Sequence, residues 1–373
     1  MQYRKFGNTG FKISSLSFGC MRLPEIEEDG KFTIDQEKVN IMLKKAYEAG
    51  VNYFDTAYYY CHNNSEAAVG IALKPFRDKV KIATKFPVSE VKERSDMRKF
   101  LNIQLERLQT DYIDYYHFWA LNIKTFNEKV LGFNLLEEAE ILKKEGLIKH
   151  ISFSFHDDPK NLYEIIDKAY CFETLLIQYN LLNREHEPMI EYAAKKGLGV
   201  IVMGPVAGGK LAHPAGLAEK LLGNKDVSTY ELAFKFVLNN PHVSSALSGM
   251  ENIEELEKNL KIASEFKQLS ANEWQMLENN LNDLKKLKDL FCTGCNYCNK
   301  CPQNIKIDKI FNAYIFYHVY GLEETGKSQY NAYLKNTKNG QVESCTDCGI
   351  CEDLCPQKIK IREELRKVDA ILK

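Results

Sequence analysis

Eight of the eleven cysteines in the chain are grouped in two short windows near the C-terminus. Each window has three cysteines separated by two residues, then a fourth cysteine that is followed by proline. Three thiolates on one tight loop can bind three corners of a cubane iron–sulfur cluster, and the fourth iron then needs a cysteine from elsewhere. The spacing therefore predicts two [4Fe–4S] clusters. Their predicted ligands are Cys292, Cys295, Cys298, Cys301, Cys345, Cys348, Cys351 and Cys355.

The second window has the C-x2-C-x2-C-x3-C-P spacing of bacterial two-cluster ferredoxins, in which the fourth cysteine binds the other cluster. By analogy, Cys355 would complete the first cluster and Cys301 the second. The first window has two residues rather than three before Cys301, so this crossed assignment stays open. Zinc is the alternative. Structural zinc usually takes two C-x2-C pairs a dozen or more residues apart, which fits these dense windows poorly.

The composition is that of a globular protein, with 373 residues, 45% hydrophobic and 27% charged. The 50 basic and 51 acidic residues nearly cancel, which gives no electrostatic reason to expect a nucleic acid or an anionic membrane as partner. No apolar run approaches the length of a membrane span, and the start of the sequence has no signal-peptide core. Together with clustered rather than evenly spread cysteines, these features predict a reducing, cytoplasmic location.

The cysteine windows follow a long region in which short apolar runs alternate with amphipathic helices. We predict eight strands, at Leu16–Cys20, Asn52–Asp55, Val80–Lys85, Tyr112–Phe118, Lys149–Phe153, Leu175–Gln178, Gly199–Val202 and Ser244–Leu247. Helical periodicity covers Gln36–Glu48, Arg94–Leu108, Leu135–Lys144, Pro188–Lys196, Thr229–Leu238 and Ile253–Ile262. Eight such units predict a (β/α)8 TIM barrel over residues 1–285. An open doubly wound sheet is less favoured, because no G-x-G-x-x-G follows the first strand.

Residues 286–373 are predicted to form a small, mostly α, ferredoxin-like domain. A lysine-rich helix near Ala271–Leu290 would connect it to the barrel. The two cysteine loops would flank one or two helices within Ile307–Lys335, and a last helix would cover Ile361–Leu372.

Active sites of TIM barrels lie at the C-terminal ends of the strands. The residues at these ends are Cys20, Asp55, Lys85, His117 or Trp119, Ser154, Gln178, Met203 and Ser248. A carboxylate, a lysine and a histidine that converge on one barrel mouth could carry out acid–base chemistry.

Several stretches closely resemble the aldo/keto reductase family. They are Tyr3–Gly10, Asn52–Tyr60 with Ser65-Glu66, Ile82–Lys85, Gln178–Arg184 and Ser248–Asn259. The resemblance covers about residues 1–285, and the cysteine motifs point to the branch with a C-terminal iron–sulfur domain. It implies carbonyl reduction with a nicotinamide cofactor and a small-molecule substrate. Tyr60 would be the general acid, Lys85 would lower the pKa of Tyr60, and Asp55 would hold Lys85.

The same resemblance implies a set of cofactor contacts. Gln178 would bind the nicotinamide amide, Ser154 would lie in the same pocket, and Met203 aligns with the aromatic that stacks on nicotinamide in many members. The segments Gly204–Lys210 and Ser248–Asn252 match those that bind the cofactor phosphates. The individual residues implied there are Gly204, Ser248, Gly249, Asn252 and, further along, Asn259.

Two departures from the family pattern bear on function. The family histidine aligns with Trp119, and His117 lies two residues earlier on the same strand face. His117 could act from one layer deeper, or it could be a packed core histidine. The arginine that reads the 2′-phosphate of NADPH aligns near Glu255, and a carboxylate there would repel that phosphate. We therefore expect NAD(H) rather than NADP(H).

Three functions are compatible with this sequence. The first is an oxidoreductase that couples a nicotinamide site to electron transfer through two [4Fe–4S] clusters. A flavin is an alternative cofactor, because it can convert two-electron into one-electron transfer. The second is a carbonyl reductase with structural or regulatory clusters, and the third is a non-catalytic electron-transfer module. A ferredoxin or flavodoxin could be the partner, attracted by Lys285, Lys286 and Lys288.

Overall fold

The computed structural model describes residues 1–181, 183–209, 211, 217–224, 226–284, 292, 294–319, 323–337 and 340–373. The chain divides into two compact units, Met1–Pro205 with Phe234–Gln268, and Val206–Ala233 with Leu269–Lys373. The predicted domain boundary at residue 285 and the three candidate docking lysines lie outside the described residues. Within the described part of the chain, no helix is both long and apolar enough to cross a membrane.

The first unit contains a closed barrel of eight parallel strands, each paired with the next along the chain. This confirms the TIM barrel, and every strand overlaps its predicted range. The strands are Leu16–Gly19, Tyr53–Asp55, Lys81–Phe86, Ile113–Leu121, Ile148–Phe155, Thr174–Gln178, Gly199–Met203 and Ser245–Gly249.

Among the described residues, eight helices of eight or more residues follow the strands of the barrel. They are Gln36–Glu48, Ser65–Leu73, Asp96–Leu108, Leu135–Lys144, Asn161–Lys168, Glu187–Lys195, Thr229–Asn239 and Ile253–Ser264. Two of them could not be predicted from the sequence. Ser65–Leu73 is buried on nearly all sides and so lacks an amphipathic pattern, and Asn161–Lys168 is only eight residues long.

Two antiparallel hairpins were not predicted. The first pairs Tyr3–Lys5 with Lys12–Ser14, and it brings Phe6 and Ile13 into an apolar cluster with Tyr53 inside the barrel. The second hairpin pairs Glu25–Glu28 with Lys31–Ile34, after the first barrel strand. Short exposed strands such as these carry little apolar periodicity, so the sequence gives a weak signal for them.

The second unit is helical over its described residues. Its helices are Leu217–Leu222, Ala271–Leu284, Ile307–His318, Glu323–Asn336, Ile350–Asp353 and Ile361–Leu372. The final helix matches its prediction, and the middle region forms two helices. Side chains of Ile307–His318 and Ile361–Leu372 pack in one core with Cys298, Cys351 and Cys355.

Candidate active site and metal centre

Lys85 and Asp55 form a buried ion pair at adjacent strand ends. The Lys85 Nζ atom lies 2.5 Å from Asp55 Oδ2 and donates to the Thr56 carbonyl at 2.7 Å, and the two charged side chains are 1% and 2% exposed. Burial alone would lower the pKa of Lys85, but Asp55 and Tyr60 together raise it. Lys85 therefore holds a positive charge inside the barrel.

Tyr60 lies directly over this charge. The Lys85 Nζ atom is 4.5 Å from the centre of the Tyr60 ring, which is partly exposed. Burial of the hydroxyl end raises the pKa of Tyr60, and the charge of Lys85 offsets only part of that rise. The hydroxyl therefore keeps its proton at neutral pH, as a general acid must. The structure thus brings together Asp55, Lys85 and Tyr60.

A buried polar network contacts Lys85 and its neighbour on the same strand. Glu66 accepts hydrogen bonds from Thr84 Oγ1 at 2.5 Å and from Gln104 Nε2 at 2.6 Å. The same Gln104 amide donates to the Lys85 carbonyl at 3.1 Å, and Arg107 contacts Glu66 at 3.2 Å. This network fixes the backbone that carries the lysine.

His117 lies inside the barrel beside Lys85, since the two residues are register partners on adjacent strands. Its Nε2 atom is 3.1 Å from the Tyr53 hydroxyl and 4.0 Å from Asp55 Oδ1, and the side chain is fully buried. Burial, aided by the charge of Lys85, lowers the pKa of His117 to about 3. The imidazole is therefore neutral at physiological pH and packs next to the ion pair.

Trp119 occupies the position above His117 and packs edge-on against Tyr60, with ring centres 5.8 Å apart. The strand bulges immediately afterwards, where Ala120 adopts a left-handed backbone with φ of 53°. Ser154 stabilises this bulge, because its Oγ atom accepts a hydrogen bond from the Ala120 amide at 2.7 Å. Sequence analysis placed Ser154 in the pocket but missed this supporting contact, since nothing in the sequence marks an alanine for positive φ.

Gln178 and Met203 are register partners at the ends of neighbouring strands, and both are partly exposed. Met203 packs against the apolar cluster inside the barrel. Gly204 follows with φ of 65°, and its carbonyl accepts from Asn180 Nδ2 at 3.0 Å. The buried Asn180 is thus a supporting residue that the sequence analysis did not single out. Lys210, at the end of this predicted phosphate segment, lies outside the described residues.

The segment after the last strand leads into the helix Ile253–Ser264. Asn252 caps this helix, because its side chain accepts from the Glu255 amide at 2.9 Å. Ser248 is buried and accepts from Asn259 Nδ2 at 3.1 Å, and Gly249 beside it is exposed. The Glu255 carboxylate accepts from the Glu251 amide at 2.9 Å. Two acidic residues, Glu254 and Glu255, therefore stand in the first helical turn.

Cysteines from both windows line one cavity in the second unit. These residues are Cys301, Cys345, Cys348 and Cys351. The remaining lining includes Ile305, Ile307 and Leu365, which are buried apolar residues. Four thiols around an apolar cavity match the donor set of a [4Fe–4S] cluster. This geometry supports Cys301 as the residue that completes the second ligand set.

The other cysteines group around the first window. The thiols of Cys292 and Cys295 lie near Cys298. Burial, and to a smaller extent these two thiols, raise the pKa of Cys298 to about 12. Cys355 is buried in the same core as Cys298. Among the described residues, no three cysteine, histidine or acidic side chains converge tightly enough for a single metal ion. A cubane spaces its thiolates more widely, since four irons lie between them.

Comparison with known proteins agrees with this geometry. Residues 15–282 match the aldo/keto reductase family, and residues 291–359 match the 4Fe-4S dicluster domain. L-galactose dehydrogenase from Arabidopsis thaliana is 28% identical over 316 residues, covering 74% of this chain and 93% of the relative. The uncharacterized oxidoreductase YqkF from Bacillus subtilis is 26% identical, covering 75% of this chain and 96% of the relative.

A solved structure supports the same assignment. The holo form of aldo-keto reductase AKR11C1 from Bacillus halodurans matches with a TM-score of 0.65 and 27% identity. The match covers 75% of this chain and 96% of that structure. The chain is therefore an oxidoreductase that belongs to the aldo/keto reductase family and carries a C-terminal 4Fe-4S dicluster domain.

Proposed function

We propose that this protein couples a nicotinamide or flavin site at the barrel mouth to one-electron transfer through two [4Fe–4S] clusters, with a flavin as the group that would convert two-electron into one-electron transfer. The observation that carries the proposal is the cavity lined by four thiols from both cysteine windows. Hydride transfer to a carbonyl needs no such centre, whereas iron–sulfur clusters carry single electrons. A protein carrier of the ferredoxin or flavodoxin type would exchange these electrons, in a reducing compartment.

The barrel residues have a defined role when the hydride goes to a carbonyl, a reaction that uses both electrons and passes none to the clusters. A nicotinamide, when bound, supplies or accepts hydride. The Tyr60 hydroxyl donates a proton to the oxygen of a carbonyl substrate, and the ammonium of Lys85 stabilises the phenolate that this leaves. Asp55 holds Lys85 in place through the 2.5 Å contact. His117 stays neutral, so it brings no positive charge to the substrate.

NAD(H) is the proposed nucleotide. Glu254 and Glu255 both stand in the first turn of the helix after the last strand. This is where barrels commonly bind phosphate, and two carboxylates there would repel a 2′-phosphate. Gln178 and Ser154 are the proposed contacts near the nicotinamide, and Met203, Gly204, Ser248, Gly249, Asn252 and Asn259 would complete the nucleotide site.

A carbonyl reductase with structural clusters is the second candidate. The assembled group of Asp55, Lys85 and Tyr60 favours it, since these residues suffice for proton donation. The same assembled group argues against a non-catalytic electron-transfer module, because a module would not need a buried lysine charge under a tyrosine. The two enzyme proposals differ in where the electrons of NADH end.

The first experiment is a cofactor inventory on protein purified without oxygen. Near eight iron and eight acid-labile sulfide per chain are expected from two [4Fe–4S] clusters, and acid-released flavin is measured on the same sample. NADH-driven reduction of a one-electron acceptor dye whose potential lies above that of NADH, and of an aromatic aldehyde, is then compared between wild type, Tyr60→Phe and Cys348→Ser. The coupled enzyme loses dye reduction in Cys348→Ser.

The outcomes separate the candidates. A carbonyl reductase keeps aldehyde reduction in Cys348→Ser and loses it in Tyr60→Phe, by a factor of about 100 to 10,000. Tyr59→Phe is the matched control, because the Tyr59 hydroxyl binds the surface residue Glu90 rather than Lys85. Tightly bound zinc without iron would contradict both proposals.

A further inference from the structure

The dicluster region contains a short internal repeat after the fourth cysteine of each window. The sequence Cys301-Pro-Gln-Asn-Ile-Lys-Ile-Asp308 is repeated as Cys355-Pro-Gln-Lys-Ile-Lys-Ile-Arg362. The structure repeats with it, since Asn304 and Lys358 both adopt left-handed backbones and a helix begins at each second isoleucine. The two copies differ at two matched positions, Asn304 against Lys358 and Asp308 against Arg362, and only the second pair has opposite charges.

Arg362 lines the cavity formed by Cys301, Cys345, Cys348 and Cys351. Its terminal nitrogens are occupied, because Nη1 donates to the Asp347 carbonyl at 2.9 Å and Nη2 donates to Glu352 Oε2 at 2.8 Å. Its Nε atom is buried and has no hydrogen-bond partner among the described residues. The guanidinium of this cavity-lining residue is thus held in place, and its Nε–H donor has no partner among the described residues.

Asp308 holds the opposite charge at the matched position of the first copy. Its carboxylate lies close enough to act electrostatically on Cys298, and Arg362 lies close enough to act on Cys351, where the nearby Glu352 carboxylate opposes it. These are the third cysteines of the two windows. Asp308 Oδ1 is buried and also lacks a hydrogen-bond partner within the described part of the chain. A carboxylate can accept but not donate when ionised.

We propose that Asp308 and Arg362 set the reduction potentials of the two clusters apart, with the higher potential at the cluster of Cys301, Cys345, Cys348 and Cys351. Reduction adds one negative charge to a cluster. An N–H donor and a guanidinium stabilise that charge, whereas a nearby carboxylate destabilises it. Glu352 and Asp347 offset part of the charge of Arg362, but neither occupies its Nε donor.

The difference gives electron transfer inside this domain a direction. One electron leaves the cluster beside Asp308, which is oxidised, and enters the cluster beside Arg362, which is reduced. No bond forms or breaks. The proposal needs only that the clusters are present and does not depend on the nicotinamide reaction.

The test is an anaerobic potentiometric titration of the full-length, cluster-loaded protein, followed by low-temperature electron paramagnetic resonance. We expect two midpoints in the wild type, at least tenfold apart in equilibrium constant, which is about 59 mV for a one-electron couple. Arg362→Gln lowers the higher midpoint and leaves the other in place. Asp308→Asn raises the lower midpoint. Arg366→Gln is the matched control, because Arg366 pairs with exposed Asp347 and does not line the cavity, so neither midpoint moves.

The proposal is overturned if Arg362→Gln and Asp308→Asn shift the same signal, or if both midpoints are unchanged in both variants. Iron and sulfide contents are measured on each sample. If Arg362→Gln fails to load its clusters, the nearly isosteric Asp308→Asn decides alone, and unchanged midpoints in that variant refute the proposal. The titration uses chemical reductant, so a failure of NADH-driven dye reduction would refute the proposed function while leaving these midpoints as expected.

Discussion

Replacing Asp55 by Asn tests the reasoning about the buried ion pair most directly. Lys85 is 1% exposed, and its pKa stays raised because the attraction of Asp55 and Tyr60 outweighs the effect of burial. Without the Asp55 charge, burial dominates and the pKa of Lys85 falls. Since the ammonium stabilises the Tyr60 phenolate, we expect the alkaline fall in aldehyde reduction rate to move to lower pH.

The size of the effect follows from the burial of both partners. Removing one partner of a fully buried pair costs about 3–5 kcal/mol. For a unit of this size, that corresponds to a fall in melting temperature of roughly 6–20 °C. The raised pKa of Lys85 means that its contribution is present at neutral pH and is lost as pH rises through the folded-state value, whereas burial raises the pKa of Asp55 and so opposes the ionisation of that partner. The loss in Asp55→Asn is therefore largest near neutral pH.

The assay combines pH–rate profiles with thermal melting, both at matched iron content. Asp114→Asn is the control. Asp114 is equally buried, at 1% exposed, and pairs with Arg77 at 2.8 Å and Lys81 at 2.9 Å, but it does not contact Lys85. Both variants should have a lower melting temperature, and only Asp55→Asn should shift the pH–rate profile. An unshifted profile in Asp55→Asn, or an equal shift in Asp114→Asn, would refute the proposed role of the pair.

Three further predictions concern the same barrel. Glu255→Arg should raise the preference for NADPH over NADH in kcat/KM by at least about tenfold, the equivalent of about 1.4 kcal/mol. Glu257→Arg, two residues along and on another side of the same helix, should not, and an unchanged ratio in Glu255→Arg would contradict the NAD(H) assignment. His117 has a folded-state pKa of about 3 against 6.5 unfolded, so protonation below pH 6.5 favours unfolding. His117→Gln should remove about 2 kcal/mol of this destabilisation between pH 6.5 and 5. The melting temperature of the variant should therefore fall less over this pH range than that of the wild type. Trp119→His should place a hydrogen-bond donor next to Tyr60 and raise the kcat of aldehyde reduction by about tenfold or more through one charge-assisted hydrogen bond. A loss of kcat equal to that in Trp119→Ala would contradict this prediction.

Much of the barrel could be predicted because its strands are short apolar runs separated by helical periodicity. Gly50, Gly146 and Gly197 marked helix ends, and each has the left-handed φ that such a position requires. The hairpin at Glu25–Ile34 could not be predicted, because its residues are largely exposed and mostly charged or polar. Burial of the helix at Ser65–Leu73 removed the periodicity that would have shown it.

Some features of the candidate site could likewise be predicted from the sequence, and others could not. Asp55, Lys85 and Tyr60 could be placed from the resemblance of local stretches to a known family, and the structure brings them together. The net rise in the pKa of Tyr60 could not be predicted, because it depends on how deeply the hydroxyl is buried. The bulge at Ala120 likewise arises from tertiary contacts, since the Ser154 hydroxyl that supports it lies on the neighbouring strand.

The cavity shared by Cys301 and the second cysteine loop also has a consequence for assembly of the protein. Cys301 and Cys345 lie 44 positions apart in the sequence, so a cluster bound to both closes that stretch of chain into a loop. Such a loop acts as a removable crosslink, comparable to a disulfide in restricting the unfolded chain. If Cys301 completes this cluster as proposed, insertion of the cluster has to follow synthesis of Cys351. A protease cut between the two windows would release no fragment until oxidation destroys the cluster.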